Sequence, residues 1–152
     1  KKVLRTAIVY SPVTGIAADL STAPDEGFAE GMMGEGAVVT PKDPVICAPE
    51  DGEVEFIFDT KHAIGFQTDT DLPMLLHIGI DTVKLEGRGF ELKVAQGDKV
   101  KKGDLLVEFD KNLLEKEGYD STVMFIVSDP TKNVNVHEGR KEAVKDCAFE
   151  II

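Results

Sequence analysis

Alternation of apolar and polar side chains, rather than a helical repeat, runs through the middle of the chain. Val54, Phe56 and Phe58 alternate with Glu53, Glu55 and Ile57, and Ile64, Phe66 and Thr68 alternate in the next segment. Period two marks a half-buried strand, because successive side chains point to opposite faces. Met74 to Gly79 departs from it: apart from His77 the run is wholly apolar or glycine, which reads as a buried strand that would ordinarily admit no polar side chain. If Val54 to Phe58, Ala63 to Thr68 and Met74 to Ile78 are neighbouring antiparallel strands, two tight connections bring His62 and His77 together.

The other elements are short. Residues 1 to 10 end in an apolar run suited to a first strand and meet Ser11-Pro12-Val-Thr-Gly15, a pentad with an analogue in Ala48-Pro49-Glu-Asp-Gly52. Small-Pro-x-x-Gly reads as a turn in which proline presets φ and glycine supplies a positive φ, and its recurrence suggests a weak internal duplication. Ala23 to Gly36 holds four glycines in its last ten residues; Phe28, Met32 and Met33 could make at most one helical turn there, and a loop is the expectation. Ala37 to Pro41 and Pro44 to Ala48 read as brief strands bounded by proline.

Downstream, Asp81 to Phe90 gives a turn of helix and a glycine-punctuated loop, and Glu91 to Val94 a short strand. Gly97-Asp98 and Gly103-Asp104 frame a tight hammerhead with Val100 inside it and a strand after. Asp110 to Gly118 is the one convincing short helix, with an aspartate N-cap and a terminal glycine. Strands near Thr122 to Val127 and Ala148 to Ile152 complete the pattern. The expectation is an all-β chain, an antiparallel β-sandwich or flattened barrel of at least ten short strands with few helices, forming one domain over residues 1–152.

Composition narrows the function classes. With 42% apolar and 30% charged residues in 152, the chain has an ordinary globular balance, and no apolar run approaches the roughly 20 residues of a membrane span. No signal peptide is expected. Cys47 and Cys147 lack a C-x-x-C spacing, which argues against a zinc ribbon or a disulfide framework and fits a reducing cytoplasm. A formal charge of −11 disfavours nucleic acid and anionic membranes and would steer in a basic protein partner, although acidity also simply keeps a domain soluble.

Two histidines on adjacent strands suit metal ligation, a proton relay, or nucleophilic capture of a phosphoryl group, against the plainer alternative of structural histidines. Zinc wants three or four ligands, and beyond His62 and His77 the candidates are Asp81, the cysteines and His137. His137 lies in Asn133-Val-Asn-Val-His-Glu-Gly139, read as a polar loop with a solvated ring. Zinc at His62 and His77 is easier to envisage in a complex, completed by a partner's carboxylate; no cofactor is required. Lys61, at the tip of a hairpin, sits where lipoyl and biotinyl carriers attach a cofactor, but neither carrier motif surrounds it, and it reads as a solvated turn residue.

Leu75-Leu-His77-Ile-Gly-Ile-Asp81-Thr-Val83, with Glu86-Gly87 and Gly89-Phe90 just after, closely resembles the signature of the glucose-type enzyme IIA of the bacterial phosphoenolpyruvate-dependent sugar phosphotransferase system. Ser11-Pro-Val-Thr-Gly15, Pro24-Asp25, Phe28-Ala-Glu30, Gly34-Glu-Gly36, Ala48-Pro49, Asp51-Gly52, Thr60-Lys-His62-Ala63 and Gly103-Asp104 fall where that family has them, so the resemblance covers nearly the whole chain.

The resemblance implies a cytoplasmic phosphocarrier, a monomer, whose histidine takes a phosphoryl group from the phosphohistidine of the small carrier HPr and hands it to the IIB domain of a sugar permease. His77 matches the phosphorylated histidine, His62 the second histidine that hydrogen-bonds the phosphoryl group, and Thr60 the threonine that orients the second ring. Asp25 and Asp81 match acidic residues that meet a basic partner, and Phe28 and Phe58 fall in the apolar collar on which partners dock. Regulated metabolic enzymes or transporters are further partners the family admits, and the sugar is set by the membrane partner. Two other classes stand beside this one: a regulatory binding module that keeps the fold without relaying phosphate, and a zinc-dependent hydrolase on a related sandwich.

Overall fold

The computed structural model describes residues 7–152, so the part of the expected first strand before Ala7 lies outside the described residues. The strands are β1 (Ala7–Tyr10), β2 (Gly15–Asp19), β3 (Glu35–Pro41), β4 (Val45–Cys47), β5 (Gly52–Ile57), β6 (Ala63–Thr68), β7 (Pro73–Ile78), β8 (Phe90–Leu92), β9 (Lys99–Val100), β10 (Leu105–Phe109), β11 (Val123–Val127), β12 (Val134–Val136), β13 (Gly139–Lys141) and β14 (Cys147–Ile151). The helices α1 (Glu26–Ala29) and α2 (Lys111–Lys116) are short, and 3-10 turns cover Leu20–Thr22 and Thr82–Leu85.

One open sheet of eight strands, ordered β13-β2-β3-β11-β7-β6-β5-β9, faces two three-stranded sheets, β1-β14-β12 and β4-β10-β8. The pairings are antiparallel. The large sheet has two distinct ends, so the architecture is the sandwich and not a closed barrel. Its main core lies between the sheets, where Phe66, Leu76 and Phe125 of the large sheet meet Leu106 and Phe149 of the small ones; the Phe125 and Phe149 rings are 5.0 Å apart. Burying each such side chain contributes about 1.5–3 kcal/mol.

A smaller apolar cluster covers the opposite face of the large sheet. Leu20 and Phe28, carried by the first 3-10 turn and α1, pack onto Val38, Met124 and Ile126. With both faces covered, all five residues of β11 are buried, which is why that strand is apolar without alternation. β7 lies beside it with Met74, Leu76 and Ile78 in the main core, so Leu75 and His77 emerge on the second face.

Two local expectations are corrected. The loop expected over Ala23 to Gly36 contains the helical turn α1, because the Asp25 carboxylate accepts a hydrogen bond from Phe28 N at 3.2 Å and supplies an N-cap. The glycines closing the two recurrent pentads do not have positive φ. Gly15 and Gly52 open β2 and β5, and a Cβ there would overlap the backbone carbonyls of Thr40 and Gln67 across the sheet. Close backbone approach, not reversal of the chain, demands glycine at both places.

Candidate functional site

The expected three-strand unit exists: β5, β6 and β7 are antiparallel neighbours. Ala63 is paired with His77, and His62 is the last residue of the turn before β6. Lys61 N donates to Phe58 O at 2.8 Å and Lys61 adopts φ 64°, closing that turn, while Ile78 N donates to His62 O at 2.8 Å and ties it to β7. The turn thus delivers the His62 ring to the face from which His77 emerges. The two rings are perpendicular, at 86°, with centroids 4.8 Å apart.

Each ring is fixed on its far side. Thr60 Oγ1 and His62 Nδ1 are hydrogen bonded at 2.8 Å, and His62 is only 3% exposed. His77 packs against the Phe28 ring, centroids 5.0 Å apart. Its Nδ1 is buried without a hydrogen bond of good geometry, although the Gly79 backbone lies close enough to favour the protonated ring. Since His77 itself is half-buried, Nε2 is the nitrogen left for chemistry.

Electrostatics favour neutral rings. Burial first, then the neighbouring His62, holds the His77 pKa down at about 4, with the Gly79 backbone and the Asp25 carboxylate opposing. Burial also lowers the His62 pKa, opposed by the Thr60 backbone. A neutral His77 keeps a nucleophilic lone pair at neutral pH. Of the two acidic residues singled out in the sequence, it is the Asp25 carboxylate that acts on His77. Asp81 is exposed, at φ 59°, and makes no side-chain cap for the 3-10 turn it begins.

The two phenylalanines expected in an apolar collar differ sharply in exposure. Phe28 is 4% exposed, so it supports His77 and offers a partner little surface of its own. Phe58 is 43% exposed and stands perpendicular to His62 with centroids 5.4 Å apart. Exposed Met32 and Met33 follow α1, and exposed Val83 lies in the turn after β7; nothing in the sequence grouped these apolar positions with Phe28 and Phe58. Neither was Thr82, buried with its hydroxyl donating to Ile78 O, although it lies inside the signature itself. Gly79, at φ 78°, has no room for a Cβ against Thr82 and the Asp120 carbonyl.

His137 stands apart from this pair. It is half-buried rather than solvated and its Nε2 lies 2.6 Å from Glu150 Oε1, across the β12–β14 ladder. Among the described residues no three His, Cys, Asp or Glu side chains converge to hold a metal; His62 and His77 alone do not meet zinc's need for three or four ligands. Among the described residues, too, no helix is long and apolar enough to cross a membrane.

The chain is similar to the glucose permease IIA from Mycoplasma capricolum, with 34% sequence identity over 97% of this chain and 96% of that one and a TM-score of 0.85. Residues 7–133 match the family model described as phosphoenolpyruvate-dependent sugar phosphotransferase system, EIIA 1. With a sandwich of that shape and paired histidines on its second face, the chain belongs to the EIIA 1 family of the sugar phosphotransferase system.

Proposed function

We propose that this chain is a glucose-type phosphocarrier in which His77 Nε2 accepts a phosphoryl group from phospho-HPr and passes it to the IIB domain of a sugar permease. The observation that carries this reading is the asymmetry of the His77 ring, whose Nδ1 is buried while the ring as a whole stands 4.8 Å from that of His62. For Nε2 to attack, its lone pair is free and the ring hydrogen sits on Nδ1.

Transfer forms an N–P bond at His77 Nε2 as the donor's N–P bond breaks in line. Such a loose transition state asks for positioning and charge stabilisation more than covalent assistance. His62 supplies that help: with the Thr60 hydroxyl donating to its Nδ1, its Nε2–H faces the incoming phosphoryl oxygens. Exposed Phe58, Met32, Met33 and Val83 give a partner a modest dry patch, while Asp25 and Asp81 register basic groups at its edge. Incubation with phosphoenolpyruvate, enzyme I and HPr, followed by intact-mass measurement, tests the reading. A single acid-labile phosphoryl group is expected, and an unchanged mass would contradict it.

A further inference from the structure

Phe56 should belong to the main core if β5 kept its alternation, since it lies two residues from fully buried Val54. Instead the pairing slips: Val54 faces Phe66, but Phe56 faces Gly65. This bulge turns Phe56 onto the second face, where it is 42% exposed. There its ring occupies the space that a Cβ at Gly65 would fill. A bulge and a glycine on the facing strand combine to seat one aromatic ring.

What the ring touches next gives it a role. Phe56 and Phe58 have centroids 5.8 Å apart at an interplanar angle of 36°, and Phe58 in turn stands at 85° to His62. Rings therefore run without a break from Phe56 through Phe58 and His62 to His77. The hydrogen bond from Thr60 fixes one nitrogen of His62, but rotation about the bond to the imidazole is intrinsically broad. Flanking rings in preferred aromatic geometry narrow it.

We propose that Phe56 is a positioning residue: held on Gly65 by the bulge in β5, it braces Phe58 against His62 and so keeps His62 oriented toward His77. The catalytic consequence rests on the reading of His77 as phosphoryl acceptor, whereas the brace itself does not. Misplacement of a catalytic group by a fraction of an ångström is costly when catalysis is mostly positioning.

The test uses the full chain, Phe56→Ala, Phe56→Tyr and Gly65→Ala, the last displacing the ring without removing it. Proton–nitrogen correlation spectra of the His62 ring are read alongside transfer kinetics from phospho-HPr and onward to a IIB domain. Phe56→Ala and Gly65→Ala should shift or average the His62 ring signals and lower the maximal onward rate about tenfold, with half-saturation little changed and with Phe56→Tyr restoring both. Should Phe56→Ala lose its thermal transition, Phe56→Leu, which keeps apolar bulk without a planar ring, takes its place. Unaltered His62 signals, or an effect confined to half-saturation, would overturn the proposal and leave Phe56 a docking residue. If the parent chain takes no phosphoryl group the proposed function fails, but the His62 spectra still decide whether the brace exists.

Discussion

His62 and His77 meet edge to face, with ring centroids 4.8 Å apart, and the nearness of His62 is one of the two causes that depress the His77 pKa. Replacing His62 by glutamine removes the ring whose charge, once it is protonated in acid, opposes protonation of His77. The His77 titration midpoint, followed by NMR, should therefore rise above about 4 while staying below the ordinary value, since burial remains the larger cause. A midpoint that does not move would show that the rings are not electrostatically coupled.

The depressed pKa also fixes the sign of an acid limb in stability. Unfolding returns His77 from about 4 to near 6.5, so between those values the unfolded chain binds more protons and stability falls as pH falls. Above 6.5 the contribution is fully present; below about 4 it is lost. The difference is of order 3 kcal/mol. Urea unfolding of the parent and of His77→Gln, from pH 7 to pH 4, should show a shallower loss in the variant; equal slopes would assign the limb to other groups.

Asp25 and Asp81, alike in the sequence as acidic residues beside the site, should separate by experiment. Asp25→Asn removes a charge that raises the His77 pKa, so the midpoint should drop further, whereas Asp81→Asn should leave it in place. Both together should slow phosphorylation by a basic donor and weaken its dependence on salt. Donor kinetics at low salt that match the parent would remove the steering role.

With two imidazoles and no third ligand from the described residues, zinc is expected to take no part in folding. Dialysis against a chelator should leave the thermal transition where it was. A transition lowered by chelation and restored by zinc would show a metal that the fold depends on.

Much of this arrangement could be read along the chain because it rests on local chemistry. The strands through Val54, Ile64 and Met74, the Asp110-capped helix and the Gly-Asp turns, where Asp98 and Asp104 bond the backbones of Ala95 and Lys101, follow from period, capping and turn residues. The paired histidines followed from strand order and from the signature around His77. The face of Phe56 could not be read because a bulge leaves no mark on an alternating pattern: one inserted residue in the pairing reverses its face. Phe28 was placed on the surface because its burial depends on α1 folding over a second cluster, a tertiary fact. β12 and β13 went unseen because their mixed, half-buried residues find their pairing only against β14 and β2.

Which ring takes the phosphoryl group decides the proposed function most directly. The parent, His77→Gln and His62→Gln are incubated with phosphoenolpyruvate, enzyme I and HPr, then weighed intact and offered a IIB domain. The parent should gain one acid-labile phosphoryl group and lose it to the IIB domain. His77→Gln should gain none. His62→Gln should be labelled, because the amide keeps an N–H donor near the phosphoryl oxygens, yet fail in passing the group onward, because it cannot follow the proton and charge changes of an imidazole. Labelled His77→Gln beside unlabelled His62→Gln would exchange the two roles, and equal labelling of both would mean that neither ring is the unique acceptor.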